Sequence, residues 1–441
     1  MSKIVQRNLL IGAFVAGNLF ATNSIAQVSA KLQTGIDADA LGIESKMIEW
    51  RRHIHQYPEL SNQEIKTAAY VARHLQSIGL EVQTGVAHTG VVALLKTGKP
   101  GPVIALRADM DALPVTERSS LPFASKEKTT YGGQETGIMH ACGHDSHVAI
   151  LMATAEVLSK HKNELKGTIK FIFQPAEEGA PTGEEGGAKM MVKEGVLDNP
   201  KVEAVFGLHI SSMTPVGTIL YKPGGVSAAN DNYEIKIKGK QSHGSAPWMG
   251  VDPIVISSQI ILGIQTIISR QTELTKEAAV ITVGKWQSGI RENIIPEEAI
   301  LAGTIRTLDT AMQNRIHKKL KLTAESIAES AGAKAEVIIY REEPVTFNNP
   351  ALTQKMLPSL QKAAGKENVK LTIAGTGAED FAYYAEKIPA LFFSVGAYDA
   401  KANETKTASH HTPDFYINED GFITGLKAML DLTVDYMFMK K

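Results

Sequence analysis

The chain has 441 residues, of which 43% are hydrophobic and 21% are charged, a composition typical of a globular protein large enough for two domains. Its 46 basic and 47 acidic residues give a formal net charge of −1. Because there is no basic excess to attract nucleic acid, we expect a small-molecule partner.

The N-terminal segment over residues 1–26 has the pattern of a secretory signal peptide. Two basic residues precede an apolar run over residues 9–20, and Ser24 and Ala26 occupy the −3 and −1 positions of a cleavage site. The run is short for a membrane span, and an uncleaved anchor is the alternative interpretation. We therefore expect a periplasmic or secreted protein that has no membrane segment after cleavage.

From residue 45 the sequence alternates between helix and strand patterns. Amphipathic helices are predicted over residues 48–60, 64–79 and 146–161, and buried strands are predicted within residues 91–97, 102–109, 168–179 and 202–210. Asp145 or Ser146 is expected to cap the third helix. This alternation predicts an α/β catalytic domain with a mostly parallel sheet, of which residues 45–224 form the first part.

Residues 225–340 follow a different pattern. Strands are predicted over residues 232–240, 278–287, 297–308 and 334–343, and helices over residues 252–271 and 311–332. The order β-α-β-β-α-β is that of a ferredoxin-like module. The α/β pattern then resumes over residues 341–441 with a buried strand at 390–397, so the module is predicted to be an inserted domain.

Side chains that ligate metals or move protons follow several of the predicted strands. Asp109 ends one strand, Glu177 and Glu178 follow the next, and His209 ends a third. Because sites form beyond the carboxyl ends of strands in open parallel sheets, these residues are expected to meet. Two adjacent glutamates suit a division of roles, in which one binds metal and the other moves a proton.

The stretch MHACGHDSHVAI, residues 139–150, contains the only cysteine of the chain, Cys142. His140, His144 and His147 surround it, and a single cysteine cannot form an internal disulfide. In an exported protein a free thiol is exposed to oxidation unless it is buried or bound to metal. Thiolate, imidazole and carboxylate groups gathered in one place indicate a metal site, although each motif taken alone is a weak signal.

The chain resembles the metal-dependent amidohydrolases that include hippurate hydrolase, plant auxin–amino acid conjugate hydrolases and bacterial N-acyl-amino acid deacylases. The motifs that carry the resemblance occur in the order of the family over residues 105–415. They are LRADMDALPV, MHACGHDSHVAIL, FQPAEEG, FGLHI, GKQSHGSAPWMGVDPI, NIIPEEAILAGTIRTL, GTGAEDFAYY and HTPDF.

The resemblance implies two divalent metal ions per subunit, with Mn, Zn, Co and Ni all compatible with mixed sulfur, nitrogen and oxygen ligands. The implied metal ligands are Cys142, His144, Glu178, His209 and His411. His411 is preferred to His410 because it directly precedes Thr-Pro. Glu177 matches the catalytic glutamate of the family, and Asp109 matches a catalytic-site aspartate. Related peptidases carry a metal-binding histidine at the position of Arg107, which cannot ligate a metal.

The inserted module resembles the lid and dimerisation domain of this family, which implies a homodimer. His243, Asn293 and Arg306 match residues that close over the substrate. An arginine suits a terminal carboxylate because its planar fork binds both oxygens, and a histidine or asparagine can donate to the oxyanion of an attacked amide.

The resemblance therefore implies hydrolysis of an N-acyl amino acid to a carboxylic acid and a free amino acid. A dipeptidase or carboxypeptidase would share the fold and the metals but prefer a peptide. A non-catalytic periplasmic binding protein would keep the fold and lose the chemistry. This alternative is disfavoured because Glu177 and all the expected ligands are present.

Overall fold

The computed structural model describes residues 28–398 and 408–439, and the predicted signal peptide lies outside these residues. The helices are α1 (Ala30–Gly42), α2 (Glu44–Gln56), α3 (Ile65–Ser77), α4 (His144–Lys160), α5 (Gly187–Lys193), α6 (Pro253–Gln271), α7 (Thr310–Ser330), α8 (Pro350–Ala364), α9 (Ala382–Ala385) and α10 (Phe422–Phe438).

The strands, in chain order, are β1 (Glu81–Val86), β2 (Gly90–Lys96), β3 (Val103–Asp109), β4 (Lys128–Tyr131), β5 (Gln134–Gly137), β6 (Thr168–Gln174), β7 (Ala204–Pro215), β8 (Ile219–Tyr221), β9 (Gly224–Ser227), β10 (Ala229–Lys238), β11 (Ser242–His243), β12 (Ala279–Ser288), β13 (Ile294–Ile295), β14 (Glu298–Thr307), β15 (Lys334–Glu343), β16 (Thr346–Asn348), β17 (Val369–Leu371) and β18 (Ala390–Tyr398).

Eight strands form one large sheet in the order β1-β2-β6-β3-β7-β18-β8-β17. Its centre, from β6 through β3 and β7 to β18, is parallel, whereas β1 and β2 are antiparallel to their neighbours. The strands β3 and β6 are buried along nearly their whole length, as is typical of central strands of a parallel sheet. The predicted α/β fold with a mostly parallel sheet is confirmed.

The inserted module forms a separate antiparallel sheet in the order β12-β14-β10-β15. One face of this lid sheet packs against α6 and α7 through a cluster that includes Tyr233, Ile235, Ile260 and Ile316. The other face, on which residues alternate with those of the cluster, is partly exposed. The β-α-β-β-α-β order of the ferredoxin-like module is confirmed.

Among the described residues, α6 is the one helix that is long and apolar enough to cross a membrane by length and composition, with a mean hydropathy of 1.3. Its Ile256, Ile260 and Ile264 side chains are buried in the lid core. The apolar face of α6 is therefore explained by its packing in the core of the lid.

Helix α4 begins two residues earlier than predicted, and the predicted cap is wrong. The residue before the helix is Gly143, which has no side chain to cap with. Asp145 is instead drawn into a buried cluster, in which its Oδ2 lies 2.8 Å from Nε of Arg51 and 2.7 Å from Nδ1 of His55. The helix start is therefore fixed by this cluster and by the turn at Gly143.

Candidate active site

The predicted metal ligands come from separate segments that meet at the carboxyl edge of the large sheet. Cys142 and His144 lie at the start of α4, Glu178 lies in the loop after β6, and His209 lies within β7. His411 lies in the segment that precedes α10. The topology thus gathers side chains that are far apart in sequence, as expected for a parallel sheet.

The turn at Gly143 places the first two ligands. Its φ of 91° is left-handed, and a Cβ atom there would lie 2.4 Å from Cγ2 of Ile210, so glycine is required. Burial raises the pKa of the Cys142 thiol, but the nearby His209 and His144 outweigh burial and hold that pKa well below its usual value. The site therefore favours the thiolate, which is the form that binds metal.

Cys142 lies at the centre of the cluster. Its Sγ is 3.4 Å from Nε2 of His209 and 3.3 Å from Nε2 of His411. Nε2 of His411 lies 3.1 Å from Oε1 of Glu178, and that oxygen lies 3.9 Å from Nε2 of His144. All five predicted ligands are therefore brought together.

The orientation of these side chains fits bound metal ions. Nδ1 of His144 lies 2.9 Å from the carbonyl oxygen of Asp111, and Nδ1 of His209 lies 2.6 Å from that of Ile210. When each Nδ1 donates to its carbonyl, both Nε2 atoms turn lone pairs toward Cys142. Nε2 of His144 is buried without a hydrogen-bond partner. Nitrogen, oxygen and sulfur ligand atoms that converge on one point are the donor set of a divalent cation.

Two neighbouring histidines are already engaged by other groups. His147 faces Oδ1 of Asp109 at 2.6 Å through Nδ1, and its Nε2 accepts the N–H of Ile210 at 2.8 Å. Nδ1 of His410 lies 3.2 Å from the carbonyl oxygen of Cys142, and its Nε2 accepts from Ser212 at 3.4 Å. His410 is also farther from Sγ of Cys142 than His411 is, at 3.8 Å. Cys142, His209 and His410 each offer a ligand atom within 4.8 Å of the others. His411 as the ligand therefore stays a prediction, which its shorter contact with Sγ of Cys142 favours.

Glu177 projects into a second acidic group beside the ligand cluster. It lies with Glu379 and Asp380, whose carboxylates are within 4.8 Å of its own. Burial, together with the neighbouring carboxylates Glu379 and Glu178, raises the pKa of Glu177 well above its usual value. A carboxyl group of raised pKa can accept and return a proton near neutral pH.

Arg107 supplies the positive charge beneath this acidic group. Its Nη2 lies 3.0 Å from Glu379 and 2.9 Å from Asp380, and its Nη1 lies 2.7 Å from Oδ2 of Asp109. All these contacts are buried, and the charge of the guanidinium balances part of the negative charge of the three carboxylates.

Asp109 lies below the ligand cluster and does not reach the cavity. Its two oxygens are taken by Arg107 and His147, and Oδ2 is 3.9 Å from Nε2 of His144. These are the contacts of a group that positions neighbouring side chains. A direct catalytic role for Asp109 stays a prediction.

A cavity of about 690 Å³ opens above the cluster. Its lining includes Cys142, Glu177, Glu178, His209 and His411 on the catalytic side, and Asn230, Arg306 and Glu343 on the lid side. Arg306 is partly buried, and its guanidinium has no hydrogen-bond or ion-pair partner among the residues that the structure describes. A guanidinium without a protein partner in a cavity suits an anionic ligand group.

His243 and Asn293 do not line this cavity in the chain's own fold. They sit side by side on an exposed edge of the lid, where β11 pairs with β13 and the N–H of Gly244 donates to the carbonyl of Asn293 at 2.8 Å. Nδ1 of His243 accepts the N–H of Ser245 at 3.0 Å. The neutral ring therefore carries its proton on Nε2, which leaves that N–H available to donate.

Several cavity residues have no role predicted from the sequence, and among them are the polar residues Asn230, Glu343, Glu379 and Asp380. The last two form the acidic pair of the motif GTGAEDFAYY, so their position beside Glu177 had a signal in the sequence. The first two lie on ordinary strand patterns, and only the strand register reveals them.

The chain is similar to several known proteins. The sequence model described as peptidase family M20/M25/M40 matches residues 105–435. The chain is 40% identical over 402 residues to thermostable carboxypeptidase 1 of Saccharolobus solfataricus, covering 90% of this chain and 97% of that protein. It is 38% identical over 383 residues to an N-acetyl-L-cysteine deacetylase of Bacillus subtilis, covering 86% of each.

A solved structure from Bacillus subtilis, described as a dinuclear metal-binding peptidase of the M20 family, is also similar. The superposition has a TM-score of 0.75 at 35% identity and covers 91% of this chain and 100% of that one. The similarity thus extends over both the large sheet and the lid.

Proposed function

We propose, because the chain belongs to peptidase family M20/M25/M40, that it hydrolyses the amide bond of N-acyl amino acids. It is a metal-dependent hydrolase of amide bonds, as are its amidohydrolase and carboxypeptidase relatives, and the family binds a dinuclear metal centre. The products would be a carboxylic acid and a free amino acid.

One observation carries the choice of substrate. The cavity joins the ligand cluster to Arg306, whose guanidinium has no partner among the described residues. A substrate held there by its free carboxylate would present the neighbouring amide to the ligand cluster. An N-acyl amino acid has these two groups on one small molecule.

In this mechanism Cys142, His144, Glu178, His209 and His411 would hold the two ions, for which Mn, Zn, Co and Ni are candidates. When bound, the ions lower the pKa of water and polarise the substrate carbonyl. Glu177 takes the proton of the attacking water, because its carboxyl lies beside the cluster and its pKa is raised. Glu177 then returns that proton to the departing nitrogen, so that the amine leaves as a neutral group.

His243 would complete the site from a second subunit. Its Nε2–H is a free donor, which suits the oxyanion formed on the substrate carbonyl. Since its own cavity lacks it, we propose a homodimer in which each lid contributes His243 and Asn293 to the partner's cavity. We also propose that the mature protein acts in the periplasm or outside the cell, on the basis of residues 1–26.

A carboxypeptidase is the second candidate function. A C-terminal peptide carboxylate would meet Arg306 in the same way, and one of the similar proteins is a carboxypeptidase. The two candidates differ in what precedes the scissile amide, which is a simple acyl group in one and an aminoacyl group in the other.

The experiment compares amino acid release from hippurate, N-acetyl amino acids and dipeptides after chelation and after re-addition of Mn²⁺ or Zn²⁺. We expect no release by metal-free protein and faster release from the acylated substrates than from dipeptides on re-addition. Turnover by protein shown metal-free by elemental analysis contradicts the mechanism, and faster release from dipeptides favours the carboxypeptidase.

A further inference from the structure

Three polar side chains form a row across the lid sheet above the cavity. Asn230 on β10 is directly opposite Arg306 on β14 and directly opposite Glu343 on β15. Directly opposed residues share one face of a sheet. All three line the cavity, on the face of the lid sheet that carries neither α6 nor α7.

The row is positive at one end and negative at the other. The Arg306 guanidinium acts on Glu343 only through its charge and has no hydrogen-bond or ion-pair partner among the described residues. Nδ2 of Asn230, in contrast, donates to Oε2 of Glu343 at 2.8 Å. This bond holds the Glu343 carboxylate in the cavity wall, and no described residue donates to its other oxygen. Oδ1 of Asn230 is buried without a partner. This end of the row therefore has hydrogen-bond acceptors and lacks donors.

The distance between the two ends of the row is short enough for one amino acid to contact both Arg306 and Glu343. Arg306 and Glu343 are two strands apart, which is roughly 10 Å between their backbones. A substrate whose carboxylate is held by Arg306 has its amide at the ligand cluster, on the opposite wall of the cavity. Two groups remain: the acyl chain lies beyond the scissile carbonyl, whereas the side chain leaves the same carbon that bears the carboxylate and can therefore extend along the lid toward Glu343.

We propose that Glu343, held by Asn230, is the subsite for a cationic side chain of the substrate's amino acid. The preferred substrates would then be Nα-acylated diamino acids with a free side-chain ammonium, such as Nα-acyl-lysine. This inference rests on the proposed function, since Arg306 must hold the carboxylate for the side chain to reach Glu343. Burial raises the pKa of the Glu343 carboxyl, and a neighbouring ammonium would offset that effect.

The test compares Nα-acetyl-lysine with Nα-acetyl-norleucine, which has nearly the same shape but no charge. The metal-loaded wild-type protein should have a kcat/KM ratio that favours the lysine substrate by about tenfold or more. Glu343→Gln should lose far more activity on the lysine substrate than on the norleucine substrate. The matched control is Glu342→Gln. It removes the same charge from the neighbouring residue, whose side chain is not part of the cavity lining, and it should keep the wild-type ratio of the two kcat/KM values.

Equilibrium binding of free lysine and free norleucine, measured by calorimetry, tests the subsite without catalysis. Tighter binding of lysine by the wild type, lost in Glu343→Gln, supports the proposal. Equal binding of both amino acids overturns it, and so does an equal loss on both in Glu343→Gln, which would mean that Glu343 only balances the charge of Arg306. Failure to hydrolyse either acetylated substrate overturns the proposed function, whereas the binding ratio still decides the subsite.

Discussion

Glu64 accepts a hydrogen bond from the backbone N–H of Ala176, the residue that precedes Glu177, at 2.9 Å. Glu64 is fully buried, and Ala176 has a left-handed φ of 51°. On the other side of Glu177, Oδ2 of Asp111 accepts the N–H of Glu178 at 2.9 Å. Two buried carboxylates therefore fix the backbone on both sides of the proposed proton carrier.

The first prediction is that Glu64 positions Glu177. Glu64→Leu leaves the N–H of Ala176 buried and unpaired, so the loop should relax and kcat should fall by roughly 10- to 100-fold with little change in KM. Glu64→Gln keeps an acceptor for Ala176 and should retain most of the activity. Steady-state kinetics, with metal content and thermal unfolding as controls, check this. Equal kcat values for the two variants would contradict the positioning role.

The two adjacent glutamates should respond differently to the same substitution. Glu177→Gln keeps the metal ligands intact and removes the proton carrier, so metal content should stay at the wild-type level while turnover falls by roughly 100- to 10,000-fold. Glu178→Gln removes a charged ligand and should lower the metal affinity itself. Metal titration and elemental analysis of both variants separate the two roles. An equal loss of metal in both would show that the assignment is wrong.

Arg306 should contribute to affinity only through the substrate carboxylate. Arg306→Ala should lower kcat/KM for an N-acyl amino acid by roughly 10- to 100-fold, because a charged hydrogen-bonded pair is lost. The corresponding N-acyl amino acid amide, which lacks the carboxylate, should be affected far less. The ratio of the two values of kcat/KM is the measurement, and Arg306→Lys tests whether the fork geometry is needed. A uniform loss on both substrates would indicate a structural role.

A fourth prediction concerns Asp431 on α10, which lies outside the ligand cluster and the cavity lining. Lys362 faces both Asp431 and Asp435, at 2.9 and 3.0 Å, so one ammonium serves two carboxylates. Burial raises the pKa of Asp431 from 3.8 to about 6 even though Lys362 opposes this. A raised folded-state pKa means that this group's stabilising contribution is complete below pH 3.8 and is lost as the pH rises through about 6.

Thermal unfolding of the wild type and of Asp431→Asn over the range from pH 4 to pH 7 checks this sign. The midpoint of the wild type should fall relative to that of the variant as the pH rises, because the asparagine has no proton to lose. Parallel curves for the two proteins would mean that Asp431 does not titrate in this range.

The meeting of these side chains could be predicted from the sequence because they occur in local motifs at strand and helix ends, whereas the full set of five ligands is implied only by the family resemblance. Cys142, Glu178 and His209 each follow or precede a clear element pattern, and the parallel sheet brings such ends together. The role of Glu64 could not be predicted, since its partner Ala176 lies 112 residues away. The row from Arg306 to Glu343 depends on strand register, which the alternation of residues along one strand does not reveal.

Helix α1 is not predicted by the hydrophobic pattern of the sequence. Its apolar residues Leu32, Ile36 and Ala40 repeat every four positions, but the helix is weakly amphipathic and its partners are distant in sequence. Tertiary packing against α4 and α10 decides its position. The start of α4 was missed for a similar reason, because the contacts of Asp145 with Arg51 and His55 are not local.

The last prediction is that His243 acts across a dimer interface. His243 is exposed on the lid edge and is not part of the cavity lining of its own chain, whereas Arg306 of the same lid is. Two arrangements would bring it to the reacting carbonyl. In one, the lid of a single chain closes over its own cluster, and in the other a two-fold dimer exchanges the two histidines.

Mixed dimers separate these arrangements. A His243→Ala chain and a Glu177→Gln chain should each be nearly inactive, since one lacks the oxyanion donor and the other lacks the proton carrier. If His243 acts in trans, the mixed dimer has one site with an intact Glu177 and an intact partner histidine, and activity should reappear on mixing. If His243 acts in cis, every site keeps one defect. Because random exchange gives half mixed dimers with one working site each, we expect about a quarter of wild-type activity. No recovery, with heterodimers confirmed by native mass spectrometry, would leave lid closure within one chain as the explanation.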